Sequence, residues 1–356
     1  MKAGSKIHKE KEREVHVEVQ VEIVTKEDRL GLRLWNIIGG LRTLRATGLT
    51  RELEVLGLVD GEIMIGIIDE VSQTCSDEKM ELKILGTAGD GKKNVVEKDQ
   101  TTMSDFMGGN SGLQNGWQRR RPPPPMIYLT DIKTRGSKSV PRLEGQLRAT
   151  KMQLMLYRRL LNDLAANKVE ADPIFDRYNV DPHARFSDSF IAQLAEVNLP
   201  ESTQPEQADQ DDSHDEPFCQ SSSQPHNGEI DPLDEVLQHQ TLSSLWALMI
   251  SEFSKTISVN AVSSSISPLL TAEFRGSKDG SLIGRQSFKY EEEVLETYVA
   301  EEMRWWRGER SAKGVEIEES YKCGICEFAE KCEWRIEKDK EAGRKARAKR
   351  GSKSQT

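Results

Sequence analysis

Apolar and polar positions along this chain alternate with two periods, and the switch between them outlines its elements. Val15, Val17, Val19, Val21 and Ile23 repeat every second residue, which predicts a strand or extended segment. Helical spacing takes over at Leu30, Leu34, Ile37, Ile38 and Leu41. It follows Thr25-Lys26-Glu27-Asp28, where Thr and Asp three apart predict a capping box. Glu52–Val59 and Glu62–Val71 flank Asp60-Gly61, the pair most favoured in a two-residue hairpin turn. On the second strand Ile63, Ile65 and Ile67 predict a core-facing row, and Asp69 continues it. A buried lone carboxylate is costly, so Asp69 either runs out into solvent or meets a cation.

The pattern continues with an apolar strand at Met126–Arg135 and a helix from Leu143 to Ala166. A short helix is predicted within Asn179–Leu199, with Ser187 as its cap, and an apolar helix over Leu233–Phe253. Leu269–Phe274 and Ser281–Phe288 flank Asp279-Gly280 as a second hairpin. Tyr290–Arg307 reads as an amphipathic helix with Val294, Leu295, Tyr298, Met303 and Trp306 on or near its apolar stripe. Strands and helices in this mixture predict an α/β fold.

Between these elements stand stretches with no core of their own. Gly86–Pro125 is polar and glycine-rich, ends in Arg119-Arg120-Arg121 and four prolines, and reads as an insertion. Glu201–Asp231 holds nine acids and no Lys or Arg, so this expected disordered linker carries the whole net charge of −9. The remainder is neutral overall and leaves room for basic patches. The tail from 336 to 356 is basic and nearly free of apolar residues, and is expected to be disordered. At 356 residues, 31% charged and 6% aromatic, the chain has ample core for one large domain. It shows no apolar run of bilayer length and no secretory signal, which predicts an intracellular protein without a membrane segment.

The candidate chemistry centres on Met126–Arg135. Alternate side chains of a strand share a face, so Asp131 and Lys133 point the same way, with Arg135 next in the row. A carboxylate beside an ammonium suits metal-assisted phosphodiester hydrolysis: the acid holds a divalent cation, and the lysine orients water and offsets charge. Gln153 and Tyr157 stand four apart, one turn from each other on a helix. Cys323, Cys326 and Cys332 follow the spacing Cys-x2-Cys-x5-Cys, which suits zinc or an iron–sulfur cluster.

The order of Gly4-x3-His8, Asp69 after an apolar strand, Asp131-x-Lys133, Gln153-x3-Tyr157 and the cysteine triplet resembles the RecB-like branch of the PD-(D/E)xK nucleases. Within it the chain is similar to the exonuclease V family, single-strand DNA exonucleases with a 4Fe–4S cluster. The resemblance runs from Gly4 to Arg335 and rests most specifically on the segment Cys323–Arg335. It implies a single nuclease domain over 1–335, a restriction-endonuclease-like core of mixed sheet flanked by helices, with helical additions and an iron–sulfur segment at 323–335. It further implies Mg2+ held by Asp69 and Asp131 with His8 nearby, Lys133 as the catalytic lysine, and Gln153 and Tyr157 against the DNA strand. Arg135 is a further expected DNA contact. Cys323, Cys326 and Cys332 would be three of four cluster ligands. The family's fourth cysteine lies N-terminal to Gly4, where this chain has none, which points to a truncated or late start. The expected activity is 5′-to-3′ exonucleolytic cleavage of single strands in DNA repair, by a monomer in mitochondria, nucleus or both, with a single-strand-binding protein as candidate partner. Two alternatives remain open: a zinc-binding nucleic-acid adaptor without activity, and a Cas4-like or flap nuclease of different polarity.

Overall fold

The computed structural model describes residues 22–87, 125–142, 144–197, 232–260 and 263–353. His8, the alternating valines up to Val21, nearly all of the 86–125 insertion and the acidic linker lie outside the described residues. The chain is a mixed α/β protein with a five-stranded sheet containing parallel and antiparallel pairs and flanked by helices. Its contacts divide it into two compact units. One gathers the described residues of Thr74–Arg159 and Ile266–Thr356, the other those of His8–Gln73 and Leu160–Ser265.

The second of these units begins with α1 (Lys26–Thr47), then β1 (Leu49–Val59) and β2 (Glu62–Ser72). The expected capping box is present: Thr25 accepts from Asp28 N at 3.0 Å, and Asp28 accepts from Thr25 N at 2.9 Å. Asp28 is fully buried and also accepts from the backbone and hydroxyl of Ser187 at 3.0 and 2.8 Å. Burial alone would raise its pKa, but the hydrogen bonds with Ser187 and Thr25 together hold it below the usual value. Leu34, Ile38, Leu41 and Leu44 fill the core on the α1 side. The β1–β2 turn is the one the sequence announced, with Asp60 and Gly61 at φ 52° and 82°, the left-handed pair of a type I′ turn.

One expectation on this hairpin fails. Ile65 and Ile67 are nearly half exposed, and the buried side chain at that end is Ile68, opposite Leu53. Alternation identifies two faces but not which one receives a cover. Here the face carrying Leu53, Val55 and Ile68 is buried, whereas the other row is open at Ile65 and Ile67, partly covered at Asp69 and buried at Val71.

The same unit holds α4 (Asp172–Tyr178), α5 (Asp188–Val197), α6 (Pro232–Gln238) and α7 (Leu242–Thr256), the labels α2 and α3 being kept for the other unit. Ser187 Oγ accepts from Phe190 N at 3.4 Å, the expected cap of α5. The single helix expected over Leu233–Phe253 is broken in two, because Thr241 and Ser244 form a second capping box that starts α7 afresh.

In the first unit, α2 (Glu78–Thr87) packs near β4 (Ile266–Gly276) and β5 (Leu282–Lys289). Its Ile84 clusters with Tyr128 and Leu269, beside Cys75, Met80 and Met126. β3 (Ile127–Arg135) pairs parallel with β4, and β4 pairs antiparallel with β5. The helix α3 (Glu144–Ala165) follows β3, and α8 (Glu292–Trp306) follows β5. On α8 only Leu295 and Met303 of the expected stripe are buried, whereas Val294, Tyr298 and Trp306 are exposed. The cysteine region is a 3-10 segment, Ile317–Ile325, followed by a turn and α9 (Glu333–Lys353). Where a disordered tail was expected, α9 is helical. Its Ala, Lys, Arg and Glu residues are strong helix formers, and Glu341 pairs with Lys338 and Lys345 at 3.1 and 2.8 Å.

Candidate active site

β3 owes its position to its own composition. Ile127, Tyr128, Leu129 and Thr130 are buried, and the parallel partner β4 supplies Leu270 and Ala272, both fully buried. The strand then carries Asp131 inside, with 2% of its surface exposed, before reaching solvent at Lys133 and Arg135. Ile132 takes the opposite face and is buried beside Glu273 of β4. Glu273 is itself buried, and two guanidinium groups satisfy it: Arg275 at 2.6 Å and Arg285 at 2.8 Å. That acid is a structural ion cluster, on the face away from Asp131.

Asp131 and Lys133 meet. Lys133 Nζ lies 2.9 Å from Asp131 Oδ2 and 3.0 Å from Oδ1. The same ammonium donates to Gln153 Oε1 of α3 at 3.0 Å, and Gln153 Nε2 donates to the Tyr157 hydroxyl at 2.8 Å. Four of the expected side chains therefore form one continuous hydrogen-bonded chain. An ammonium held by a buried carboxylate and an amide is fixed in place, whereas a free lysine would sample many rotamers.

The helix is held by a residue that sequence reasoning passed over. Arg158, next to Tyr157, donates to the carbonyls of Ser267 and Ile266 at 3.0 Å each and stacks 4.3 Å from the Tyr290 ring centroid. Burial lowers its pKa, the direction expected for a cation drawn out of water. This anchor fixes α3 against the start of β4 and so sets the rotation that presents Gln153 to Lys133. Nothing in the sequence singles it out, since Arg159 stands directly beside it.

Arg135 closes the row on β3. Its guanidinium stacks 5.7 Å from the Phe274 ring centroid, and its buried Nη1 finds no hydrogen-bond acceptor among the described residues. A buried donor left unpaired costs about 1–3 kcal/mol, so an anionic oxygen would be welcome there.

Asp69 is on β2 in the second unit and is partly buried. Between the paired Arg51–Glu70 and Leu53–Ile68 stand Glu52 and Asp69, and Glu52 has a left-handed φ of 51°. A glutamate in that region is strained, and nothing in the sequence marks it. His8 lies outside the described residues.

Cys323, Cys326 and Cys332 are free thiols on the 3-10 segment and the turn before α9. Cys323 borders a cleft of about 560 Å3 shared with Ile317, Trp334, Arg335 and Lys338. Trp334 lies against Gly314, where no side chain would fit. Among the described residues no three His, Cys, Asp or Glu side chains are gathered as a metal ion requires. The Cys75 thiol is pushed above its ordinary value, by burial foremost and by Glu81 beside it. Cys219 is outside the described residues.

The chain matches the family described as "Exonuclease V - a 5' deoxyribonuclease" over residues 1–335. It is 22% identical to the Exonuclease V of Danio rerio over 334 residues, which is 93% of this chain and 61% of that protein. The chain thus spans about three fifths of the length of that curated relative. With a family match over nearly its whole length, the chain belongs to the Exonuclease V family.

Proposed function

We propose that this chain is a DNA exonuclease whose hydrolytic centre is the solvent end of β3. The observation that carries the reading is the buried carboxylate of Asp131 bonded to the Lys133 ammonium, which Gln153 holds from its other side. That pair offers what phosphodiester hydrolysis needs from a protein. A hard oxygen donor is available for a divalent cation, and a fixed positive charge stands where negative charge develops on the phosphate.

The donor set suits Mg2+, since carboxylate oxygen is its preferred ligand. Asp131 and Asp69 would hold the ion, with His8 nearby, and the bound ion supplies Lewis acidity and a water of lowered pKa. Lys133 positions the attacking water and offsets the charge of the transition state. Arg135, with its unmet donor, takes a phosphate oxygen of the substrate, and Tyr157 lies where the strand passes. Cys323, Cys326 and Cys332 would supply three soft ligands to a 4Fe–4S cluster with a structural role.

The family description supports a DNA substrate cut from its 5′ end, and the name of the Danio rerio relative supports exonuclease action. Single-strand preference, a role in repair, action as a monomer alongside a single-strand-binding protein, and residence in mitochondria or nucleus belong to the same proposal. The test is digestion of single strands labelled at the 5′ or 3′ end, with Mg2+ and with EDTA. A 5′ label should be released first as short products, only with Mg2+. Early release of the 3′ label would replace the polarity, and cleavage in EDTA would remove the metal.

A further inference from the structure

The chain Tyr157–Gln153–Lys133–Asp131 has a direction, and the direction is forced. An ammonium only donates, so the Gln153 atom facing Lys133 Nζ at 3.0 Å must be the amide oxygen. The amide nitrogen therefore faces Tyr157, 2.8 Å away, and it too only donates. The Tyr157 oxygen must accept, and its own proton is turned elsewhere. Among the described residues no acceptor takes that proton, and the side chain is partly exposed.

We infer that Gln153 is a positioning residue that does not itself touch DNA, and that through it Tyr157 is preset as a hydrogen-bond donor to a non-bridging phosphate oxygen beside Lys133. This deepens the proposed function and rests on it. Gln153 fixes two donors at once. It holds Lys133 from the side opposite Asp131, and it prevents the Tyr157 proton from turning inward. Two bound donors facing one phosphate give more order than either alone, because neither has to be oriented when the strand arrives. The sequence-based expectation gave both residues to the DNA strand. The hydrogen-bond polarity separates them, leaving contact to Tyr157 and positioning to Gln153.

The test uses the full chain and two readouts: affinity for a fluorescent single strand in EDTA, and the single-turnover cleavage rate with Mg2+. Gln153→Met keeps length and removes both hydrogen bonds. It should slow cleavage roughly ten- to hundredfold, the scale of a lost hydrogen bond to a charged group, while leaving affinity within about twofold. Tyr157→Phe should slow cleavage by a similar factor and also weaken affinity. Gln153→Glu still holds Lys133 but cannot donate to Tyr157, so the hydroxyl turns inward and adding Tyr157→Phe should cost nothing further. The relay is overturned if Gln153→Met weakens binding as much as it slows cleavage, if Tyr157→Phe cuts at the normal rate, or if Gln153→Glu and Tyr157→Phe multiply. Asp131→Ala, run alongside, separates the two levels. Its failure to cut upholds the site, so that any of those results removes the relay alone, whereas normal cutting by it removes the site and the relay together.

Discussion

Glu252, on α7, is buried among Arg42, Arg45 and Lys255, with the nearest oxygens 3.5, 2.5 and 2.9 Å from the three cations. Burial would raise its pKa, but Lys255, Arg45 and Arg42 outweigh it and hold the carboxyl below its ordinary value. Asp28 is shifted the same way by its hydrogen bonds with Ser187 and Thr25. A carboxyl whose folded pKa is depressed adds stability above its unfolded value, near pH 4, and loses it as pH falls through the folded one. Glu252→Gln should therefore cost about 1–3 kcal/mol at pH 7, from loss of charged hydrogen bonds. The gap to wild type should start to narrow as pH falls below about 4 and close only once pH has fallen through the depressed folded value, where Glu252 is protonated in both states. Denaturant melts at pH 7 and pH 3.5 check this, and a gap that stays constant would refute the assignment. None of these partners was visible in advance. Glu252 and Arg45 are far apart in sequence, and an acid inside an apolar helix looks like one on its exposed face.

At the scale of single elements, what was legible depended on whether local chemistry decided the outcome. The β1–β2 hairpin, α1 and β3 were all readable, because a turn pair, a capping box and an apolar run each act within a few residues. The face covered on β2, the break between α6 and α7 and the rotation of α3 depend on packing partners, and sequence periodicity does not identify those. Two glycines separate local from packing effects. Gly39, in α1, has open space around a Cβ and a helical backbone, whereas Gly61 has equally open space at φ 82°. Gly39→Ala should stabilise the protein by about 0.5–1 kcal/mol, and Gly61→Ala should cost about 1–2 kcal/mol. Thermal unfolding of both variants checks the pair. Equal shifts would mean that backbone conformation is not what distinguishes the two positions.

Across the whole molecule, the candidate site was legible as residues but not as connections. Asp131, Lys133, Gln153 and Tyr157 were singled out from spacing and resemblance, and the structure shows them hydrogen-bonded in one line. The anchor Arg158 and the strained Glu52 were not, since neither carries a sequence signature. The cysteine triplet poses a separate question of content. Purified protein should carry iron and acid-labile sulfide, and Cys326→Ser should lose both, whereas zinc in stoichiometric amount would favour the adaptor alternative. The most direct test of the central claim compares cleavage of end-labelled single strands by wild type and Asp131→Ala in Mg2+, with DNA binding of both measured in EDTA. The account predicts that Asp131→Ala binds nearly as well and does not cut. An Asp131→Ala protein that cuts at the normal rate would contradict it.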